Sequence, residues 1–128
     1  TLDNLISYIR SYSIEYFDNT PVHCKVTVPV TIPEKELTGD KRRNIFLSVK
    51  ETLNNVLKHA AASHVTIEIE ANATLQIVIK DNGKGIDMEK LRQFGNGLKN
   101  IARRMESIGG TYKIENNNGT ITTLELPL

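Results

Sequence analysis

Residues 51–70, ETLNNVLKHAAASHVTIEIE, change their periodicity partway along. Leu53, Val56, Leu57 and Ala60 recur at three- and four-residue steps, as on one face of an amphipathic helix. From Val65 the step shortens to two: Val65, Ile67 and Ile69 fall on one face, as in a half-buried strand. A second alternating run, Leu75, Ile77 and Ile79, follows closely enough for residues 71–74 to join the two as a hairpin. Upstream, the helical pattern reaches back to Asp40, a plausible N-cap, and it runs forward to about Ala62.

Leu2, Leu5, Ile6, Ile9, Ser13 and Tyr16 predict a first helix over 2–17, ended by the turn chemistry of Asp18-Asn19-Thr20-Pro21. Residues 22–28 alternate as a strand, with Cys24 expected as a small core residue beside Val22, Val26 and Val28. Pro29, Pro33 and Gly39 mark the connection to the long helix. A further helix is expected from Leu98 to Ile108, capped by Gly109-Gly110. The chain closes on a hairpin, 112–115 with 121–126, turning through Asn116-Asn117-Asn118-Gly119. Helices and strands in blocks predict an α+β fold: a two-layer α/β sandwich with helices on one face of a mixed sheet. At 128 residues, without repeats or an internal linker, the chain reads as a single domain over 1–128.

Composition narrows the partners. Sixteen basic and fifteen acidic residues leave a formal charge of +1, so no global field draws nucleic acid or an acidic membrane surface. No apolar run approaches the roughly 20 residues of a membrane span, and the segment itself is expected to make no direct membrane contact. One cysteine excludes an internal disulfide and fits a reducing, cytoplasmic setting. The chain opens on Thr1 without a methionine or a leader pattern, and reads as a piece of something longer.

The long helix carries the first chemistry. With Glu51 at zero and about 100° per residue, Asn55 falls near 40° and Lys58 near −20°. Ile45, Val49, Leu53, Val56 and Ala60 project between about 120° and 200°, with Phe46 and Leu57 just beyond. Leu47 breaks the pattern by falling on the polar side. A polar stripe opposite a core stripe is the ordinary solvated face of any such helix; its composition argues for more. Glu51 can accept a proton, Asn55 offers a neutral oxygen to a hard cation, and Lys58 supplies a point charge for phosphate. Mg²⁺ needs only one or two protein oxygens beside substrate phosphates. His59, at the edge of the stripe, either donates to phosphate or packs near the helix end.

Two glycine loops follow. Asp81 ends an apolar strand, where a carboxylate is costly without a donor, and Gly83 and Gly85 permit close backbone approach. Taken alone, Asp-Asn-Gly-Lys-Gly also suits a plain turn. Gly95-Asn96-Gly97 precedes a helix, where free N–H groups suit phosphate oxygens, although it fits a simple loop as well. It is neither a Walker loop nor a dinucleotide fingerprint.

In this order, "ETLNNVLKHAAASHVTIEIE", "DNGKGID" and "GNGLKNIARRMESIGGTYKI" resemble the ATPase superfamily of DNA gyrase, heat-shock chaperones, histidine kinases and mismatch-repair proteins. Within it they look most like the ATP-binding domain of sensor histidine kinases of the nitrate-sensor type. The resemblance covers nearly the whole chain and implies the Bergerat sandwich. It implies ATP and Mg²⁺ as ligands, with Asn55 on the metal and Asp81 on the adenine amine. Gly83 and Gly85 would border the base, Gly95, Gly97 and Leu98 the triphosphate, with Lys58 and His59 beside the phosphates. Thr120 would reach adenine through water. Glu51 and Lys58 stand as the catalytic residues, Glu51 where hydrolysing relatives keep a general base.

The short segment 86–94 implies a small lid over ATP, and the phenylalanine box is not evident in it. None of His23, His59 and His64 reads as a phosphoacceptor. The implied role is therefore the ATP-holding half of a two-component kinase. Its partners would be a dimerisation and phosphoacceptor domain of the same kinase and a downstream response regulator, the parent being cytoplasmic or anchored in the inner membrane. A stand-alone serine kinase of the anti-sigma-factor type and a non-catalytic adaptor are the alternatives.

Overall fold

The structure is a computed structural model that describes residues 1–59, 61–85 and 97–128. Three helices and five strands follow in the order α1 (Leu2–Asp18), β1 (His23–Thr27), α2 (Gly39–His59), β2 (His64–Ala71), β3 (Thr74–Asp81), α3 (Gly97–Ser107), β4 (Thr111–Asn116) and β5 (Thr120–Pro127). The strands form one sheet in the order β1-β2-β3-β5-β4. β1 pairs with β2 in parallel and every other pairing is antiparallel. The sheet is thus mixed, as expected.

Period-two alternation decides which face is covered. Val65, Ile67 and Ile69 of β2, Leu75, Ile77 and Ile79 of β3, and Leu124 and Leu126 of β5 are all buried. They meet Leu2, Leu5, Ile6 and Ile9 of α1, Ile45, Val49, Leu53 and Val56 of α2, and Ile101 and Met105 of α3 in one continuous core. The helices therefore lie on one face, and the other face carries polar side chains such as the ion-paired Lys80 and Glu68, 3.4 Å apart. α1 is tied to α2 by Tyr8 and Tyr12, whose rings pack on Phe46 at 4.9 and 5.0 Å.

Several element ends differ from the expectation. Asp40 lies inside the first turn of α2 rather than capping it. The cap is Thr38, whose Oγ1 accepts from Lys41 N at 3.2 Å, while Asp40 complements the positive end of the helix. α2 ends at His59, short of Ala62, and Ala61 already has a left-handed φ of 52°. Ala60 lies outside the described residues. Cys24 is half-buried against the core rather than enclosed by it, because β1 is an edge strand. Burial still raises its thiol pKa. Leu57, projected near the core stripe, is 37% exposed.

The end of α3 follows the sequence closely. Gly109, at φ 82°, donates to Glu106 O, and Gly110 donates to Met105 O at 2.8 Å, a Schellman closure. Buried hydroxyls in the helices find partners one turn back: Ser13 on Ile9 O, Ser48 on Asn44 O and Thr52 on Ser48 O.

Leu53, 0% exposed, seats α2 on the sheet. Leu53→Ala is expected to destabilise the chain by about 2–5 kcal/mol in denaturant unfolding. A loss below about 1 kcal/mol would contradict this packing.

Candidate nucleotide site

The seating of α2 turns Glu51 and Asn55 toward the start of α3. A Cβ added to Gly97 would lie 2.5 Å from Glu51 Oε1 and 3.6 Å from Asn55 Oδ1. Two polar side chains of α2 thus converge on a buried glycine at the first turn of α3, where a Cβ would displace the Glu51 carboxylate and touch Asn55. Leu98, the next residue, is half-buried. Lys58 is exposed one turn beyond Asn55. His59 is the last residue of α2; its side chain lies outside the described residues, as do Gly95 and the segment 86–94 expected to form a lid.

The second cluster sits at the end of β3. Asp81 is 8% exposed and faces Thr120 directly in the β3–β5 ladder, Thr120 itself being 6% exposed. Asp81 Oδ1 accepts from Gly83 N at 2.9 Å. Burial raises the carboxyl pKa above its ordinary 3.8, and hydrogen bonds from the backbones of Gly83 and Thr120 pull it partly back. A Cβ on Gly85, which has φ 77°, would meet Asn116 Oδ1 at 2.9 Å and Gly119 O at 3.2 Å. The loop after β3 is therefore pressed against the β4–β5 turn. Gly119, at φ 131°, has no space for any side chain because the Asp81 carbonyl fills it. Asp81, Gly83, Gly85 and Thr120 are brought together as the sequence suggested.

Three contributions went unread. Gly119 was legible only as a turn residue, though a glycine immediately before Thr120 was the available signal. Asn82, inside the Asp-Asn-Gly motif, serves as a clasp: its Oδ1 accepts from Ser63 N and His64 N at 3.0 and 2.9 Å. Glu51 also lines a cleft of about 370 Å³, together with Tyr16, Leu47, Lys50, Asn54, Asn100 and Arg104. This explains Leu47 on the polar side of α2. Tyr16 Oη donates to Asn54 Oδ1 at 3.3 Å, and its pKa is raised by burial, by Tyr12 and by the charge of Glu51. Such a pairing across 38 residues has no local sequence signal.

The chemistry of the two clusters is complementary. A buried carboxylate beside a hydroxyl and glycine backbone suits the amine edge and flat face of a base. An amide oxygen, a carboxylate and a helix start without side chains suit a cation-bound phosphate chain. Among the described residues no group of three or more His, Cys, Asp or Glu side chains could hold a metal ion. The arrangement is that of an α/β sandwich whose two polar clusters suit a nucleotide.

The profile of the histidine kinase-, DNA gyrase B-, and HSP90-like ATPase family matches residues 40–128, and the chain belongs to that family. The Bacillus subtilis sensor histidine kinase YvfT is 39% identical over 85 residues, 66% of this chain and 22% of YvfT. The Salmonella typhimurium histidine-protein kinase/phosphatase UhpB is 36% identical over 97 residues, 75% of this chain and 19% of UhpB. The chain thus spans about a fifth of the curated relatives it matches. Among solved structures, the catalytic domain of histidine kinase ThkA superposes with a TM-score of 0.73 at 15% identity, covering 99% of this chain and 93% of that one. The histidine kinase domain of the Erythrobacter litoralis blue-light kinase gives 0.78 at 20% identity, over 97% and 61%. The structural likenesses carry the fold, helices on one face of a mixed sheet; the family match and the curated relatives make it an ATP-binding domain of the histidine-kinase type. Among the described residues no helix is long and apolar enough to cross a membrane.

Asp81 generates a prediction about the ligand-free chain. Its raised pKa means that the protonated carboxyl favours the fold, and this contribution is lost as pH rises from near 3.8 through the raised value. Above that range the carboxylate is held at a cost to stability. Asp81→Asn removes the charge while keeping an oxygen for Gly83 N. It is expected to raise the ligand-free Tm at pH 7 and to flatten the stability profile just above pH 3.8. A lower Tm than the parent at pH 7 would contradict the assignment.

Proposed function

We propose that this chain binds Mg·ATP and donates its γ-phosphate to a histidine carried by a separate dimerisation and phosphoacceptor domain, upstream of a response regulator. The observation that carries the reading is the convergence of Glu51 and Asn55 on Gly97. It gives α2 an aimed polar face where a solvated stripe would point to bulk water. The buried Asp81–Thr120 pair supports adenine as the base. Kinship with sensor histidine kinases supports histidine over serine as the acceptor. On this reading the domain works on the cytoplasmic side, whether or not its parent is anchored in the inner membrane.

Each side chain has a role it can fill from its own chemistry. Asp81 would accept a hydrogen bond from the exocyclic amine, and Thr120 would reach the base through water. Gly83 and Gly85 border the base, and Gly97 lets backbone and phosphate approach without a Cβ between them. Asn55 offers the oxygen that would hold Mg²⁺, and the ion when bound neutralises phosphate charge. Lys58 adds a point charge, and His59, Gly95 and Leu98 complete the expected phosphate contacts. Phosphoryl transfer depends mainly on positioning and charge stabilisation, so a rigid α2–α3 junction is the main requirement. Glu51 is suited to orient the incoming imidazole or take its proton.

Calorimetry with Mg·ATP tests the site. Asn55→Asp and Asp81→Asn are each expected to weaken binding at least about tenfold, the first by setting a second carboxylate beside Glu51 against the phosphates, the second by replacing the charged acceptor of the adenine amine. Glu51→Gln is expected to keep ATP affinity while slowing transfer to an added phosphoacceptor domain by about 10²-fold or more. Unchanged affinity in both binding variants, or transfer to serine instead, would sink the reading.

A further inference from the structure

On the sheet face turned away from the helices, two imidazoles meet. β1 and β2 run parallel with His23 directly opposite His64, so both side chains leave the sheet on the same side. Their strand neighbours Cys24 and Val65 face the core, while both histidines are exposed. The ring centres are 5.2 Å apart, with planes inclined at 32°. An imidazole nitrogen binds Zn²⁺ at about 2.0–2.1 Å in a tetrahedral shell, which sets the centres of two such rings roughly 5 Å apart. The observed spacing needs no rearrangement of either strand to meet that requirement.

The His64 ring is also held as a metal ligand is held, and the His23 backbone is tied to the same residue, Ser63. His64 Nδ1 lies 2.9 Å from Ser63 Oγ, which in turn accepts from Asn82 Nδ2 at 2.9 Å. Ser63 O accepts from His23 N at 2.8 Å, and His64 O accepts from Asn82 N at 3.2 Å. One ring nitrogen of His64 is thus engaged and the ring oriented, leaving Nε2 for a metal, the outer-sphere arrangement that accompanies metal-binding histidines. Stacking of two rings alone would need neither Ser63 nor the Asn82 clasp. Lys25 and Lys80 occupy the next row of the same face, flanking Thr66, and Lys80 is paired with Glu68.

We propose that His23 and His64 form a two-imidazole site for a borderline divalent transition cation such as Zn²⁺, Ni²⁺ or Cu²⁺. With two protein donors the ion keeps open positions for water or an added ligand, so the site exchanges readily. Mg²⁺, which prefers oxygen donors, does not compete, and the site is chemically separate from the one at Asn55.

Titration calorimetry of the whole chain with ZnCl₂, in a non-coordinating buffer containing excess MgCl₂, tests the proposal. One ion per chain is expected. Affinity should fall at least about tenfold in His23→Ala and in His64→Ala, each variant removing one of two protein donors. Cys24→Ser and His59→Ala are expected to bind zinc as the parent does. Both histidines being exposed, circular dichroism should show an unchanged fold in their variants. Absence of saturable binding, equal affinity in the double variant, or loss confined to Cys24→Ser or His59→Ala would overturn it.

Discussion

The site rests on the rotational setting of one helix. Val49, Leu53 and Val56 are sealed against the sheet, at 0%, 0% and 5% exposure, which leaves α2 no freedom to turn about its axis. Once that stripe is fixed, helical geometry places Glu51 and Asn55 on the opposite side. The close approach of α3 then does the rest, because a side chain at Gly97 would push the Glu51 carboxylate out of its place. Apolar packing thus positions polar chemistry without any hydrogen bond between the two having to do so.

The other end of the site follows a different logic. Asp81 is buried with backbone partners, and its environment works against its charge. Such a group lowers the stability of the ligand-free fold and gains by meeting a donor, as the proposed contact with the adenine amine would provide. Gly119 shows how tightly the surrounding turn is drawn in: the Asp81 carbonyl occupies the space of its missing side chain. The corner proposed to take the base is built from a strand end, a glycine loop and a hairpin turn, elements far apart in sequence.

Much of this was legible beforehand, and the reasons are specific. Alternation in residues 65–69 and 75–79 fixed which sheet face is buried, and the 3.6-residue period of α2 separated Glu51 and Asn55 from the core. The Gly109-Gly110 closure has a strong local code. Less visible was whatever depends on a distant partner. Thr38 outcompeted Asp40 as a cap because the chain entered the helix two residues earlier than its charge pattern suggested. The Tyr16–Asn54 contact and the cleft beside Glu51 exist only because α1 packs on α2 through Tyr8, Tyr12 and Phe46. Asn82 sat inside a recognised motif, yet its role is to clasp the strand beside it.

The central claim is that the Asp81–Thr120 corner and the Glu51–Asn55–Gly97 junction serve one nucleotide. Titration of the ¹⁵N-labelled chain with Mg·ATP, followed residue by residue in amide NMR spectra, tests it most directly. The account predicts that Gly83, Thr120, Gly97 and the Asn55 side-chain amide shift together along one binding curve. Shifts confined to one cluster, or two curves with different affinities, would contradict it.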